Sequence, residues 1–492
     1  MRDLTKWQLI SFISRGVAMA FGIVQSFVIV RILTVGEWGI IQIAVSIGGA
    51  FGIYQHLGLA SGSTREISAA KSDTEVFKIF VTAALIRYLI TIPIAIFLFF
   101  SAEALAVNKY FEPALILPIK IYAFVLLIQG IQSILNSVIS GTKRFKYLFL
   151  YQSLIAVVSM FLFIPLVYYY HVYGYFYALA LFNIASSLVL TYLAFKPLTC
   201  EFSLPSKSDF KILFKDLLSI SLAVYVVKVI YTMWEKSGTL ILGLYLSKEM
   251  VGIFAFALLY AKKLVAISDA VTDVNLPVMS EKYLKNIDEF KDLFSRNFDK
   301  IFVFILFSAF TVVYWAPEVI TFVVGGNKYN PSFPYILPMV FAFAFYSFIN
   351  IIKSSVFIPA KFIKDMILSF IFLLGGTIVT YLISLKTLGF LSAMSYAMLA
   401  GSCVSLIILV IATKIRLNFL VMKTSHFLLL IQSAAISLFI FVPNLYFKIS
   451  FYPVFIFMFL WGVFMSGFIT YADIKSSYDY FRKKRRKINS KC

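Results

Sequence analysis

Fourteen long apolar stretches punctuate the 492 residues of this chain, and their length decides what it can fold into. They fall at residues 8–32, 38–59, 79–101, 113–139, 147–170, 173–195, 217–246, 250–272, 301–324, 333–357, 366–385, 389–412, 426–447 and 450–472. About 20 apolar residues wound as a helix cover the ~30 Å of a bilayer core. Hydrophobic residues make up 61% of the chain and charged residues 14%. A soluble domain runs near half and a quarter, so no water-facing surface can be built from this composition. Long alternating strand patterns are absent, and helices satisfy their own backbone polar groups in lipid. The predicted fold class is an all-α integral membrane protein of about fourteen transmembrane helices. The first span is too long for a cleaved signal peptide and is expected to stay as an anchor, because Arg31-Ile32-Leu33-Thr34 offers no small-residue cleavage site.

The net charge of +21 could suggest nucleic acid, but its distribution assigns it to topology. With both termini inside, the cytoplasmic segments hold 30 Lys and Arg and the outer segments hold six: Arg31, Lys109, Lys248, Lys328, Lys386 and Lys448. The positive-inside rule then places both termini in the cytoplasm. Nucleic acid is not an expected partner. The tail run Arg482-Lys483-Lys484-Arg485-Arg486-Lys487 holds the C-terminus inside and is able to meet anionic lipid headgroups. The outer loops are too short for a catalytic domain. Tyr168-Tyr169-Tyr170-His171-Val172-Tyr173-Gly174-Tyr175 reads as an aromatic belt at the outer interface. The connection at 273–300, with Phe290, Leu293, Phe294 and Phe298 among its charges, reads as an interfacial amphipathic helix.

Motifs for covalent chemistry are missing. There is no G-x-x-x-x-G-K-[ST] and no H-E-x-x-H. Cys200, Cys403 and Cys492 make neither a disulfide framework nor a metal spacing. His56, His171 and His426 lie far apart and read as interfacial residues. No catalytic residue, cofactor or metal site is expected.

The chain also repeats. Leu33, Thr34, Gly39 and Ile40 match Leu246, Ser247, Gly252 and Ile253, 213 residues on. Thr74-Glu75-Val76-Phe77-Lys78 falls near the same offset from Asp288-Glu289-Phe290-Lys291, and the basic turn at 142–146 resembles that at 360–364. Spans 1–6 and 7–12 therefore read as two parallel copies of one six-helix unit, a transporter architecture. The expected division is an N-lobe at 1–200, a C-lobe at 201–415, spans 13 and 14 within 416–475, and a basic tail at 476–492.

Eight basic residues lie inside the spans: Arg15, Arg87, Lys120, Lys228, Lys236, Lys262, Lys263 and Lys353. A charge at the bilayer centre costs about 2.5–3.5 kcal/mol on insertion scales, so such residues face a bundle interior or a wet cavity. Lys120 and Lys353 sit near span ends and are expected to snorkel. Arg15 and Lys228 are 213 residues apart, which sets them at matching positions in spans 1 and 7. Lys262, Asp269 and Asp273 fall at i, i+7 and i+11 along span 8, and Lys228 and Glu235 are seven apart on span 7. The acids Glu235, Asp269 and Asp273 either neutralise nearby lysines or couple an ion. Deep cations outnumber deep acids, so Arg15, Arg87, Lys228 and Lys262 are the candidates for holding an anionic ligand. Spans 11–14 carry no charge, which leaves the pathway to the two lobes.

Arg31-x-Leu33-x-x-x-Glu37-x-Gly39 after span 1, Gly58-Leu59 with Arg65 near the end of span 2, and Leu242-Gly243-x-x-Leu246-Ser247-x-Glu249-x-Val251-Gly252-Ile253 after span 7 resemble a known pattern. It is that of the polysaccharide-transporter branch of the multidrug/oligosaccharidyl-lipid/polysaccharide (MOP) exporter superfamily, nearest to Wzx-type O-antigen flippases. The similarity covers most of spans 1–12. It implies two six-helix bundles in a V around a cationic cavity. It also implies a flippase of the bacterial cytoplasmic (inner) membrane that moves an undecaprenyl-pyrophosphate-linked oligosaccharide by alternating access. Membrane lipids, a polysaccharide polymerase and a chain-length regulator are the partners it implies. Where that family carries an acid just before the Leu-Gly of span 7, the nearest acid here is Glu235. A cation antiporter of the same superfamily would present acids to its cavity. A membrane polymerase or ligase would need reactive groups on a large outer loop.

Overall fold

A computed structural model describes residues 2–198, 203–219, 222–437 and 445–468. Every regular element among them is helical, and no strand occurs among the described residues. Among the described residues, ten segments are long and apolar enough to cross a membrane. The fourteen predicted spans coincide with helical segments, spans 2, 8 and 9 being broken into more than one, and parts of spans 7, 13 and 14 lie outside the described residues. The protein is an all-α, multi-pass membrane protein.

Span 1 is α1 (Arg2–Ile32). Span 2 begins as α2 (Val35–Gly52), where Thr34 caps the helix: its hydroxyl accepts from the Glu37 N–H at 3.2 Å, and the Glu37 carboxylate accepts from the Thr34 N–H at 2.8 Å. It does not continue to residue 59 as one helix. A tight turn at Ile53–Gln55 follows, then Leu57 and Gly58 at φ 42° and 70°, and a second helix α3 (Leu59–Ala69) leaves in a new direction. A left-handed leucine costs of order 1–3 kcal/mol and persists only where its surroundings impose it.

Spans 3 and 4 are α4 (Asp73–Glu103) and α5 (Ile116–Gly141). Gly48, Gly52 and Gln55 meet Tyr122, Leu126 and Gly130 in rising order, so α2 and α5 run parallel. Arg87, Tyr88 and Phe99 meet Ser133, Leu127 and Lys120 in falling order, so α4 and α5 run antiparallel. This is the alternation that the span count requires.

Spans 5 and 6 form one helical run, α6 (Phe145–Phe195), broken at His171 with φ 50° and ψ −124°. It folds back there. Tyr151 bonds Ser186, and Phe163 lies 5.1 Å from Tyr175, pairs that centre on the tyrosine belt. Gly174 sits against the Leu166 carbonyl, where a Cβ would come within 1.9 Å. Tyr168, Tyr169 and Tyr170 are all exposed.

The amphipathic α7 (Lys207–Ser219) packs on α3 and α4, with Leu217 buried among their apolar side chains. Lys78 on α4 donates to Asp209 at 3.0 Å. That bond, with those from Ser206, holds the Asp209 carboxyl below the usual carboxylate range.

The second copy follows with α8 (Leu222–Tyr245), α9 (Lys248–Lys262), α10 (Val265–Lys285), α11 (Ile287–Tyr314), α12 (Ala316–Val319) and α13 (Phe333–Ile352). It closes with α14 (Ile363–Leu388) and α15 (Phe390–Leu417), while α16 (Thr424–Ser437) and α17 (Leu445–Met465) lie beyond it. Its local geometry repeats that of the first copy. Ser247 accepts from the Met250 N–H at 3.4 Å, the counterpart of Thr34 and Glu37. The turn after α4 is a wide i→i+5 turn at Ala104–Lys109 followed by a tight turn at Pro113–Leu115. The turn after α11 repeats both, at Ile320–Gly325 and Asn330–Ser332.

By contact density the chain forms two compact units. The first comprises residues 1–261, 317–339 and 366–404. Within it the two copies grip one another. Lys328 donates to the carbonyls of Val30, Arg31 and Leu33 at 2.8–2.9 Å, capping α1. Tyr110 reaches the Leu240 carbonyl near the end of α8, and its own carbonyl accepts from Lys248 at 2.6 Å.

The second unit comprises residues 262–316, 340–365 and 405–492. Its core is a ladder of Phe290, Phe294, Phe298 and Phe302, one per turn along α11 and each no more than 1% exposed. This corrects the interfacial helix expected at 273–300. The apolar stripe belongs to the transmembrane helix itself and packs on Phe348 and His426, because four phenylalanines in i, i+4 register bury more surface in a core than at a headgroup boundary. His426 is likewise not interfacial. It is fully buried, accepts from the Lys423 N–H and lies 3.0 Å from Asp299.

Candidate functional site

The break in span 2 places polar groups deep in the first unit. Gln55 is 2% exposed and accepts from Thr91 of α4 at 3.1 Å. One turn earlier on α4 lies Arg87, which is fully buried. Its Nη1 donates to Ser133 of α5 at 2.7 Å, and its Nη2 donates to Nδ1 of His56 at 3.0 Å. A guanidinium only donates, so Nδ1 is the acceptor and the imidazole carries its proton on Nε2. The Arg87 Nε has no partner. Both partners of Arg87 are neutral, so the cation is held by dipoles rather than by a counter-charge.

Helix α8 brings the next cation. It runs antiparallel to α2, since Tyr225, Lys236 and Gly243 meet Tyr54, Gly49 and Ile43 in turn. Tyr225 donates to the Tyr54 carbonyl at 3.2 Å, pinning α8 to the broken turn. Lys228 follows one turn later and is exposed. Its charge and that of Arg87 both fall on His56. Among the described residues no carboxylate lies within ion-pair distance of Arg87, Lys228 or His56. An exposed lysine and a fully buried arginine that bonds an imidazole thus both lie near the broken turn, and among the described residues neither cation has a carboxylate partner. Lysine and imidazole N–H groups are hydrogen-bond donors, and phosphate oxygens are acceptors that suit them.

The remaining candidates separate. The Arg15 and Asp273 side chains lie outside the described residues, as do the basic run at 482–487, Cys200 and Cys492. Glu235 is buried and pairs with its neighbour Lys236 at 3.0 Å, which gives it a lysine closer than Lys228. Lys262 and Asp269 belong to the second unit. Their expected common face is interrupted. Helix α9 ends at Lys262, Lys263 and Leu264 form a turn with i→i+3 bonds, and α10 starts at Val265, so a spacing counted on one continuous helix does not carry across. Asp269 is exposed and accepts from Asn350 at 2.8 Å. Among the described residues no cluster of His, Cys, Asp and Glu is able to hold a metal.

Sequence reasoning missed His56. The signal was present, because Gln55-His56 is a polar pair inside an apolar span, bracketed by Gly52 and Gly58.

Comparison with known proteins agrees with this architecture. Residues 28–334, more than half the chain, match the family described as "Polysaccharide biosynthesis protein". The chain belongs to that family. No curated protein matches. Among solved structures, the lipid II flippase MurJ in an inward closed conformation aligns over 96% of this chain and 99% of its own, with a TM-score of 0.65 at 13% identity. An inward-facing multidrug resistance MATE family transporter of the MOP superfamily aligns over 84% and 94%, with a TM-score of 0.60 at 16% identity. The eukaryotic MATE transporter AtDTX14 aligns over 84% and 95%, with a TM-score of 0.62 at 14% identity. The fold is that of the MOP exporters.

Proposed function

We propose that this protein is a flippase. It carries an oligosaccharide repeat unit on undecaprenyl pyrophosphate from the inner to the outer leaflet of the bacterial cytoplasmic membrane, for O-antigen or another surface polysaccharide. The carrying observation is the pair of deep cations, Arg87 and Lys228, at the broken turn of span 2 with no carboxylate partner among the described residues. The substrate head is a sugar on a doubly charged pyrophosphate, and crossing unaided would put that charge in hydrocarbon. Lys228 meets the pyrophosphate directly. Arg87 orients His56 and supplies positive potential from behind. The polyprenyl tail stays in lipid, and the two six-span lobes alternate access around the head. Without a nucleotide motif the drive comes from an ion gradient or from consumption of the flipped lipid, with Asp269, Glu235 and Asp273 as the coupling candidates. Both termini stay in the cytoplasm, and no covalent chemistry is involved.

Complementation of a flippase-deficient strain tests this reading. Lys228→Ala is expected to abolish surface polysaccharide while the protein stays in the membrane, and Lys353→Ala is expected to leave it intact. Wild-type protein that exports cationic dyes and leaves polysaccharide unrestored would instead favour the antiporter reading.

A further inference from the structure

The outer half of the first unit carries a second feature, away from the broken turn. A cavity of about 430 Å³ opens on the side of the helices, lined by Phe99, Leu117, Lys120, Ile121, Phe124, Tyr177 and Ala180. Apart from Lys120 its walls are apolar or aromatic. Phe99, Leu117, Phe124 and Tyr177 are each more than a third exposed, as side chains facing lipid are. All of these residues lie close to the outer ends of their helices. Phe99 is one turn before the end of α4, Lys120 is one turn into α5, and Tyr177 is shortly past the fold-back at His171. The cavity therefore lies at the same end of the helices as the exposed tyrosines at 168–170, the level assigned to the headgroups.

Lys120 stands at that level. Its Nζ sits 5.4 Å from the centroid of the Phe99 ring, within the ~6 Å reach of a cation–π contact. No carboxylate lies within ion-pair distance of it among the described residues. A snorkelling lysine needs only water above it. This one is drawn onto a ring at the cavity mouth. A lone cation at the mouth of an apolar slot matches one kind of molecule, with a negative head at the interface and a hydrocarbon chain below.

We infer that Lys120 and this cavity form a binding site for an anionic phospholipid of the outer leaflet, its phosphate on Lys120 and an acyl chain in the slot. A larger apolar cavity of about 500 Å³ between α8, α14 and α15 provides an internal comparison, because its lining contains no charged residue. A chain alone suits that cavity. A charged head does not. The inference is independent of what the protein transports.

Native mass spectrometry of the purified full-length protein, given phosphatidylglycerol or diacylglycerol with the same chains, tests the site. The wild type is expected to retain phosphatidylglycerol at least tenfold better than diacylglycerol. Lys120→Gln should reduce phosphatidylglycerol to the diacylglycerol level, and Lys120→Arg should restore it. Ala180→Trp, which fills the slot, should remove the adduct, whereas Ile378→Trp in the uncharged cavity should leave it. Equal retention of the two lipids by the wild type, or an undiminished phosphatidylglycerol adduct in Lys120→Gln, would overturn the inference. So would an adduct lost in Ile378→Trp and kept in Ala180→Trp.

Discussion

Gly39 and Gly252 each face the backbone that opens the other's helix. A Cβ on Gly39 would come within 2.0 Å of the Lys248 carbonyl oxygen, and a Cβ on Gly252 within 2.0 Å of that of Val35. Val35 and Lys248 are themselves 213 residues apart, as are the two glycines, so the contact is its own image under the repeat. Backbone cannot yield as a flexible side chain does. Gly39→Ala and Gly252→Ala are each expected to lower stability by about 1–3 kcal/mol, the usual range for overpacking, and by similar amounts. Gly375 on α14 has open space around its Cβ position. Gly375→Ala should be neutral or up to about 1 kcal/mol stabilising, through helix propensity. Melting temperatures of the purified variants in one detergent check the contrast.

Arg87 separates stability from function. A buried charge held only by neutral groups is costly, and apolar replacements of similar length are often neutral or stabilising. Arg87→Met should melt no lower than the wild type and still fail to restore surface polysaccharide. A variant that restores it at wild-type level would remove Arg87 from the mechanism.

Orientation is open to direct labelling. In a background without Cys200, Cys403 and Cys492, Arg144→Cys should react only after the membrane is made permeable, and His171→Cys, at the exposed fold-back, should react in intact cells. Reversed reactivity would turn the topology over.

Much of this fold is written in hydrophobic length. Spans 5 and 6 show why: Tyr168 to Tyr175 breaks an otherwise continuous apolar run, and the chain folds back there. The repeat was legible because its matches sit at helix starts, where a cap and a close glycine contact restrict the residue choice. Helix continuity was the weak link. Glycine is tolerated within a helix, so Gly52 and Gly58 do not by themselves announce the turn at Ile53–Gln55 between them, and nothing in Lys262-Lys263-Leu264 marks the end of α9. Hydropathy also counts apolar residues without saying what they face, so the phenylalanine ladder of α11 passed for an interfacial stripe.

The strap of α7 on α4 carries a pH dependence. The Asp209 carboxyl is held below its ordinary value by Lys78. A depressed carboxylate stabilises the docked helix above its undocked pKa of about 3.9, and that contribution is lost as pH falls through the docked value. Amide exchange over residues 207–219 should therefore rise as pH drops below about 4, after correction for the intrinsic rate. Asp209→Asn should show the raised exchange already at neutral pH. A protected α7 in that variant would assign the docking to Leu217 and its apolar neighbours alone.

Energy coupling divides two acids. Asp269 is exposed and hydrogen-bonded to Asn350, whereas Glu235 is buried against Lys236. In proteoliposomes Asp269→Asn is expected to slow flipping and remove its response to a pH gradient. A full response in Asp269→Asn that disappears in Glu235→Gln would move the role to span 7.

The caps of α2 and α9 have diverged in one respect. Thr34 and Ser247 accept the same backbone bond in both copies. Only the first copy places a carboxylate at the third helical position, where Glu37 also lies 3.1 Å from His171, and Met250 stands there in the second. In a dimer of identical subunits every substitution appears on both sides of the symmetry axis. Joined in one chain, the copies mutate one at a time. An ionisable latch can then be set on one side of a two-fold contact while the shared backbone geometry on the other side stays as it was.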